Sequence, residues 1–245
     1  YYHVAGVGTV TGRDFTGALL SAFFPDRCAY CGAVVPHPER MCPECAVKLP
    51  VVEGETCPLC GCARRDCTCE NHRHPYDRCI APLYYEGPAR HVILRMKQRE
   101  RPYVVRELAA RMIRAFLRSG EPLPDAVVYV PMTRKDERQR GFNQSRMLAA
   151  EVAEGLAVPL WAALRKVQQT RPQKQLSAEQ RSGNVLGVFD AAPDMALAGK
   201  RLLLVDDLMT TGATAGECAK VLKLYGAERV VLLAAAITRK TEKNA

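Results

Sequence analysis

The chain alternates short apolar runs with longer stretches in which apolar residues recur every three or four positions. Uninterrupted apolar runs of this kind are typical of strands that are covered on both faces of a parallel sheet. The predicted strands are 80–85, 126–130, 158–164, a short strand near 188, 202–205 and 230–237. The predicted helices, from their spacing of apolar residues, are 14–23, 88–97, 103–119, 144–156 and 214–225. Strands and helices in this alternating order predict a doubly wound parallel α/β sheet.

One of these strands leads directly into a polar turn. Residues 202–205 are apolar, Asp206 and Asp207 follow, and 210–214 consists of Thr, Gly and Ala. Ligands of doubly wound sheets bind at the carboxyl ends of the strands, so we place the chemistry of this chain there. Gly212 allows a ligand to approach the backbone, and the N-terminus of the next helix attracts a phosphate. The segment predicts a pocket for a phosphorylated sugar; the alternative is a solvated Asp-Asp turn whose Thr and Gly residues only cap the helix.

Two further segments are basic and polar. The first, 131–145, follows the strand 126–130 and therefore lies on the same sheet edge as Asp206. Because guanidinium groups bind phosphate oxygens in pairs, we interpret it as a pyrophosphate-binding loop, with a solvated basic loop as the alternative. Its candidate residues are Arg134, Lys135, Arg138 and Arg140. The second segment, 171–184, is long and polar enough to form a lid, although a simple insertion would have the same composition.

Ten of the eleven cysteines lie between Cys28 and Cys79. Cysteine pairs separated by two residues allow four thiolates to surround zinc tetrahedrally, and a closed shell of four sulfurs makes the metal structural. The first predicted zinc site is Cys28, Cys31, Cys42 and Cys45. The second is Cys57, Cys60, Cys67 and Cys69, with Cys62 as an alternative ligand because the last pair is irregularly spaced. The sequence thus predicts one or two structural Zn2+ ions, and it predicts that Cys79 and Cys218 are buried.

The composition of the chain indicates which partners and which cellular compartment to expect. A net charge of +9 favours anionic partners, either phosphorylated metabolites or nucleic acid. No apolar run reaches the roughly 20 residues that are needed to span a bilayer, and residues 1–13 do not resemble a secretory signal. We therefore expect a cytoplasmic protein without a membrane span, and a reducing cytosol favours zinc over the alternative of a disulfide framework.

A length of 245 residues suits one α/β core with a small additional module. The predicted division is an N-terminal segment 1–27, a zinc-ribbon module 28–71, a linker 72–77 and an α/β domain 79–240. The helix at 14–23 contains no basic residue, which favours docking on the core or on a partner over attachment to a membrane surface.

The strand, the paired acids and the turn at 210–214 resemble the phosphoribosyl pyrophosphate (PRPP) motif of type I phosphoribosyltransferases. Over residues 15–237 the chain resembles the ComF family of competence-associated proteins, in which a zinc ribbon is fused to a phosphoribosyltransferase-type domain. The elements that carry this resemblance are Phe-Pro before Cys28-x2-Cys31-Gly, Tyr-Glu-Gly before Lys97, Arg140-Gly-Phe-Asn-Gln144, Gln175 with Arg181 and Asn184, and the Asp206-Asp207 turn. The irregular pair at 67 and 69 departs from the regular double-knuckle pattern and puts a second zinc in question.

The resemblance implies a site for PRPP with Mg2+, in which Asp206 and Asp207 bind the ribose hydroxyls. The residues implied for the 5′-phosphate are Thr210, Thr211, Gly212, Ala213 and Thr214. The implied catalytic residues, beside the departing pyrophosphate, are Arg134, Lys135 and Arg181. The implied residues of a lid or basic loop are Lys97, Arg138, Arg140, Asn143, Gln175 and Asn184.

The implied activity is transfer of phosphoribose to an unidentified acceptor, in a protein linked to DNA uptake and natural transformation. Catalysis would be mostly electrostatic, because the enzyme has to stabilise the departing pyrophosphate and exclude water. The alternative is a nucleic-acid-handling or docking protein that performs no catalysis and whose PRPP site is regulatory. Single-stranded DNA and other competence proteins would then be its partners.

Overall fold

The structure is a computed structural model that describes residues 26–69, 74–98, 102–167, 188–193 and 195–239, with the backbone alone described at 134–136. The predicted helix at 14–23 and the predicted lid at 171–184 lie outside these residues. No helix of the described ranges is long and apolar enough to cross a membrane.

A parallel sheet of five strands forms the centre of the described structure, in the order β1-β7-β6-β2-β3. A short antiparallel pair, β4-β5, lies beside it. The strands are β1 (Arg78–Ile80), β2 (Ala126–Tyr129), β3 (Leu160–Trp161), β4 (Leu164–Lys166), β5 (Phe189–Ala191), β6 (Arg201–Met209) and β7 (Arg229–Ile237). The helices are α1 (Pro43–Lys48), α2 (Gly87–Gln98), α3 (Pro102–Arg118), α4 (Arg134–Arg140), α5 (Gln144–Leu156) and α6 (Ala213–Leu224), and a 3-10 turn covers Arg64–Asp66.

Successive side chains of a strand point to opposite sides of the sheet. In the central strands, the side chains on both sides are buried. Strand residues on the first face pack with α2, α3 and α5; they are Val127, Leu203, Val205, Val231 and Leu233. Strand residues on the second face pack with α6; they are Ala126, Val128, Leu202, Leu204 and Leu232. Helices on both faces of a parallel sheet confirm the predicted doubly wound α/β class.

The cysteine-rich segment contributes to both of these cores. Cys28, Tyr30 and Cys45 are buried with the first face, whereas Cys57 and Cys60 are buried with the second. Between the two sets the chain runs beside residues 82–84, which follow β1; the Val52 N–H donates to the Pro82 carbonyl at 3.0 Å. The two halves of the segment therefore lie on opposite sides of the sheet, joined around its β1 edge.

Two elements at the site end of the sheet differ from the sequence prediction. The strand predicted at 202–205 continues to Met209, because β7 runs beside it and Asp206 pairs with Ala234. The basic segment 131–145 was predicted as a loop before the helix at 144, and this is wrong, since it contains α4; α5 begins at Gln144, as predicted. Arg, Lys, Glu and Gln dominate α4, and all four are strong helix formers.

Two predicted strands are shorter than expected. β1 shares only Ile80 with the strand predicted at 80–85; Pro82 lacks an N–H and cannot continue the ladder. The strand predicted at 158–164 is divided between β3 and the start of β4.

Candidate functional site

The candidate site lies where β6 extends beyond its neighbour β2. The pairing of these strands ends with Tyr129 opposite Val205, and β6 continues beside β7 alone. Asp206 and Asp207 are therefore residues of the strand itself, at the carboxyl edge of the sheet, whereas the predicted strand ended at Val205.

Asp206 is the buried member of the acidic pair and is only 9% exposed. Its Oδ1 accepts hydrogen bonds from the Ser145 hydroxyl and from the Asp207 N–H, each at 2.9 Å. Burial, and then the charge of Asp207, raise the pKa of Asp206 to about 7. Near neutral pH this carboxyl group can therefore either donate or accept a hydrogen bond.

Asp207 forms an ion pair with Lys97, whose Nζ lies 2.9 Å from Oδ2. Lys97 comes from the last turn of α2, so the structure brings together two residues that the resemblance assigned to different parts of the site. The pair places one cation beside Asp207, at a position suited to the oxygens of a phosphorylated ligand.

The turn at 210–214 connects β6 to α6, which begins at Ala213, one residue before the predicted start. Gly212 is the N-cap, with φ of 77°, and has no side chain to cap the helix. The Thr211 hydroxyl accepts from the Ala213 N–H at 3.4 Å. The exposed residues of the turn are Thr210, Thr211, Ala213 and Thr214. The N-terminus of a 12-residue helix is thus presented beside the acids, as an anion site requires.

The basic segment has a less direct relation to the acids. Arg138 and Arg140 are exposed on α4, while the side chains of Arg134 and Lys135 are not described. Asn143 caps α5: its Oδ1 accepts from the Arg146 N–H at 3.1 Å, and its Nδ2 donates to the Val130 carbonyl at 3.3 Å. The structure therefore gives Asn143 a role in holding the start of α5 against the end of β2.

Three predicted residues, Gln175, Arg181 and Asn184, lie outside the described residues. Conversely, sequence reasoning did not identify Ser145, which contacts Asp206 from the first turn of α5. The signal for it was present, because Ser145 directly follows the run Arg140-Gly-Phe-Asn-Gln144 that carried the family resemblance.

Both predicted cysteine sets come together in space. Within each set all four sulfurs lie within 4.8 Å of one another, and the second set contains Cys67 and Cys69 rather than Cys62. The Sγ atoms of Cys31 and Cys42 are 3.6 Å apart, and those of Cys60 and Cys67 are 3.7 Å apart. Two sulfurs bound at about 2.3 Å to a tetrahedral zinc would be about 3.8 Å apart, so both sets fit structural zinc.

Comparison with known proteins first defines the class of the cysteine-rich segment. Residues 19–80 match the family described as double zinc ribbon domain.

The chain is also similar to curated proteins over most of its length. It is 30% identical over 209 residues to the DNA utilization protein YhgH of Salmonella typhi, covering 83% of this chain and 86% of that protein. It is 28% identical over 224 residues to competence protein F of Haemophilus influenzae, covering 85% and 95%. Competence protein ComFC of Bacillus subtilis is 26% identical over 186 residues, covering 72% and 75%. The chain belongs to the ComF family that these proteins represent, as the sequence resemblance implied.

Solved structures of phosphoribosyltransferases are more distant. The purine phosphoribosyltransferase of Pyrococcus horikoshii is 16% identical, covers 57% of this chain and 78% of that chain, and gives a TM-score of 0.35. Similarity at this level supports no argument about the site, which depends on the residues described above.

Proposed function

We propose that the chain binds PRPP with Mg2+ at the carboxyl end of β6 and transfers its phosphoribosyl group to an acceptor. The observation that carries the proposal is the juxtaposition of Asp206, Asp207 and Lys97 with the exposed turn at the N-terminus of α6. Relatives of this chain are named for DNA utilization and for competence, so we place the activity in the use of DNA.

In this proposal the two ends of the ligand are bound by different elements. The carboxylates of Asp206 and Asp207 accept hydrogen bonds from the ribose hydroxyls, and Ser145 keeps Asp206 in place. The 5′-phosphate accepts hydrogen bonds from N–H groups at the start of α6, where the helix dipole favours negative charge. Both interactions orient the sugar so that its C1 faces the basic segment at 134–140.

The chemical step breaks the bond between C1 and the pyrophosphate oxygen, and the new bond forms from the acceptor to C1. Positive charge develops on the ribose ring and negative charge on the leaving pyrophosphate. Bound Mg2+ would neutralise part of the latter charge, held largely by ligand oxygens and water. The cationic side chains of α4 would stabilise the rest, so this chain contributes orientation and electrostatics.

The direct test is calorimetric titration of the zinc-loaded protein with PRPP and Mg2+. Wild type should bind, and Asp206→Asn/Asp207→Asn should lose about 100-fold or more in affinity, because two carboxylate acceptors of ligand hydrogen bonds are replaced by neutral amides, which accept more weakly and can present N–H groups to the ribose hydroxyls. Asp125→Asn is the matched control, since Asp125 lies at the opposite end of β6 and accepts from the Arg201 N–H at 2.7 Å. Wild-type affinity in the double variant would refute the proposed site.

A second candidate function, binding of single-stranded nucleic acid, is favoured by a cleft along β1. The cleft has a volume of about 730 Å³ and its arginines are Arg64, Arg78, Arg111, Arg114 and Arg118. Arg78 pairs with Glu121 and Arg111 with Glu107, whereas Arg114 and Arg118 are exposed. Glu53 and Glu55 also line the cleft and reduce its positive charge.

This second function predicts binding of a labelled deoxythymidine oligomer that weakens as salt rises. Arg114→Gln/Arg118→Gln should weaken binding and lower the slope of log affinity against log salt by about 0.7 for each lost phosphate contact. Arg106→Gln is the control, because Arg106 also lies on α3 but faces Glu151, 3.5 Å away. An equal effect of the control would show that only net charge matters.

A further inference from the structure

Residues 74–76 occupy the space between the second cysteine set and the turn at 210–214. Their rings stack, with the centroids of His74 and Tyr76 4.8 Å apart and their planes inclined by 11°. Tyr76 is only 2% exposed, and Pro75 lies 3.4 Å from the position that a Cβ at residue 216 would take. The part of the predicted linker that the structure describes is therefore packed in place.

On one side this segment is attached to the second cysteine set. The Tyr76 hydroxyl donates a hydrogen bond of 3.0 Å to the Leu59 carbonyl, between the ligand candidates Cys57 and Cys60. A zinc ion in this set would fix the backbone of that knuckle, and with it the position of the Tyr76 ring.

On the other side the same rings lie against the turn. A Cβ at position 212 would stand 3.0 Å from both His74 Cε1 and Tyr76 Oη, so only glycine allows this approach. A cleft between the two regions is lined by Cys60, Cys69, His74, Thr210 and Thr211, among others. The second cysteine set and the candidate phosphate site thus share one wall.

We propose that His74 and Tyr76 are positioning residues that hold the turn at 210–214 in its phosphate-binding conformation, and that the second zinc site therefore controls the affinity of this site. The identity of the ligand as PRPP rests on the proposed function. The physical reason is preorganisation: a turn that must be ordered during binding lowers the affinity by the free energy of that ordering.

The first test compares two buried tyrosines that each donate one hydrogen bond. Tyr76→Phe removes the bond to Leu59 and should weaken binding of PRPP with Mg2+ about three- to tenfold, the usual effect of one hydrogen bond. Tyr30→Phe removes a bond of 3.1 Å to Glu107 on α3 and should leave the affinity unchanged. Zinc content should stay the same in both variants. Equal affinities for the two variants would overturn the proposal.

The second test needs no ligand and measures amide hydrogen exchange at residues 209–215. It compares Cys67→Ser with Cys31→Ser, since each sulfur accepts from the N–H two residues later, at 3.4 Å and 3.5 Å. We expect faster exchange in the turn for Cys67→Ser and for Tyr76→Phe, and wild-type exchange there for Cys31→Ser.

The outcomes separate the two proposals. If wild type does not bind PRPP, the proposed function fails, while the exchange pattern still decides whether the second cysteine set holds the turn. If the Cys67→Ser variant does not fold, hydrogen exchange of the Tyr76→Phe variant, which keeps all its cysteines, tests the same inference. The inference would be overturned if Tyr76→Phe left exchange in the turn unchanged. It would also be overturned if Cys31→Ser increased exchange there as much as Cys67→Ser does.

Discussion

The two cysteine sets have the same chemistry but support different parts of the molecule. The first set is bound to α2, because Arg95 Nη1 donates to the carbonyls of Cys28 and Ala29 at 3.1 and 3.0 Å. The second set is bound to residues 74–76 and through them borders the turn at 210–214. A metal site that is closed to substrate can therefore influence a binding site through the elements that it fixes.

The comparison extends to the two ends of the candidate PRPP site. The helix held by the first set carries Lys97, which pairs with Asp207 at the proposed ribose end. The segment held by the second set contacts Gly212 at the phosphate end. Each half of the zinc ribbon thus stands behind one half of the site, and the predictions below test the two halves in turn.

Removal of zinc should have the largest effect, because residues of both cysteine sets lie in the cores on both faces of the sheet. Structural zinc contributes on the order of 10 kcal/mol to the folding of small zinc domains. We expect a strong chelator to lower the melting temperature of the whole chain, followed by circular dichroism, with zinc release measured in parallel. A zinc-free protein that melts at the temperature of the loaded one would contradict the shared cores.

At the ribose end we predict that stability depends on the protonation of Asp206, because its pKa is raised from 3.8 to about 7. Between these values the folded state holds a proton that the unfolded state has released, so the free energy of unfolding falls as pH rises from 5 to 7. The decline amounts to at most about 1.4 kcal/mol per pH unit for one group. Urea unfolding at several pH values should show this decline in wild type, and Asp206→Asn should reduce it.

Asp125→Asn serves as the control for this slope. A hydrogen bond from the Arg201 N–H lowers the pKa of Asp125, so its titration contributes below the range from pH 5 to 7. Identical slopes in wild type and Asp206→Asn would show that the buried carboxyl group does not titrate in this range.

The smallest predicted effect is a difference between substitutions at two glycines with positive φ, Gly32 in the first cysteine set and Gly212 at the proposed phosphate end. A Cβ at Gly32, in the first set, would lie 3.1 Å from the guanidinium of Arg95, the end of one long side chain, whereas at Gly212 it would lie 3.0 Å from the stacked side chains of His74 and Tyr76. Gly32→Ala should cost about 1 kcal/mol of stability, and Gly212→Ala about 2 kcal/mol. Thermal unfolding measures both costs, and only Gly212→Ala should also weaken PRPP binding. Equal losses in both measurements would argue against the packed wall at Gly212.

Much of this architecture was predictable from local patterns. The uninterrupted apolar runs predicted a parallel sheet that is covered on both faces. The spacing of Cys28-x2-Cys31 and Cys57-x2-Cys60 predicted one or two metal sites. The Asp206-Asp207 pair beside a Gly-containing turn marked the sheet edge that the structure identifies as the candidate site. In each case neighbouring residues in the sequence carry the signal.

The remaining features depend on contacts between distant parts of the chain. The extension of β6 to Met209 follows from its pairing with β7, which no local pattern of β6 records. The bonds of Asp206 to Ser145 and of Asp207 to Lys97 join separate helices to the strand. Residues 74–76 were predicted to belong to a linker, because a short polar segment with Pro shows no periodicity. Their packing between the second cysteine set and the turn at 210–214 is visible only in the structure.

The most direct test of the account is amide hydrogen exchange of the zinc-loaded wild type with and without PRPP and Mg2+. The account predicts that ligand slows exchange at residues 211–214 and in the first turn of α6, because the phosphate accepts hydrogen bonds from these N–H groups. Unchanged exchange in this turn at saturating ligand, or protection confined to the arginine cleft along β1, would contradict it.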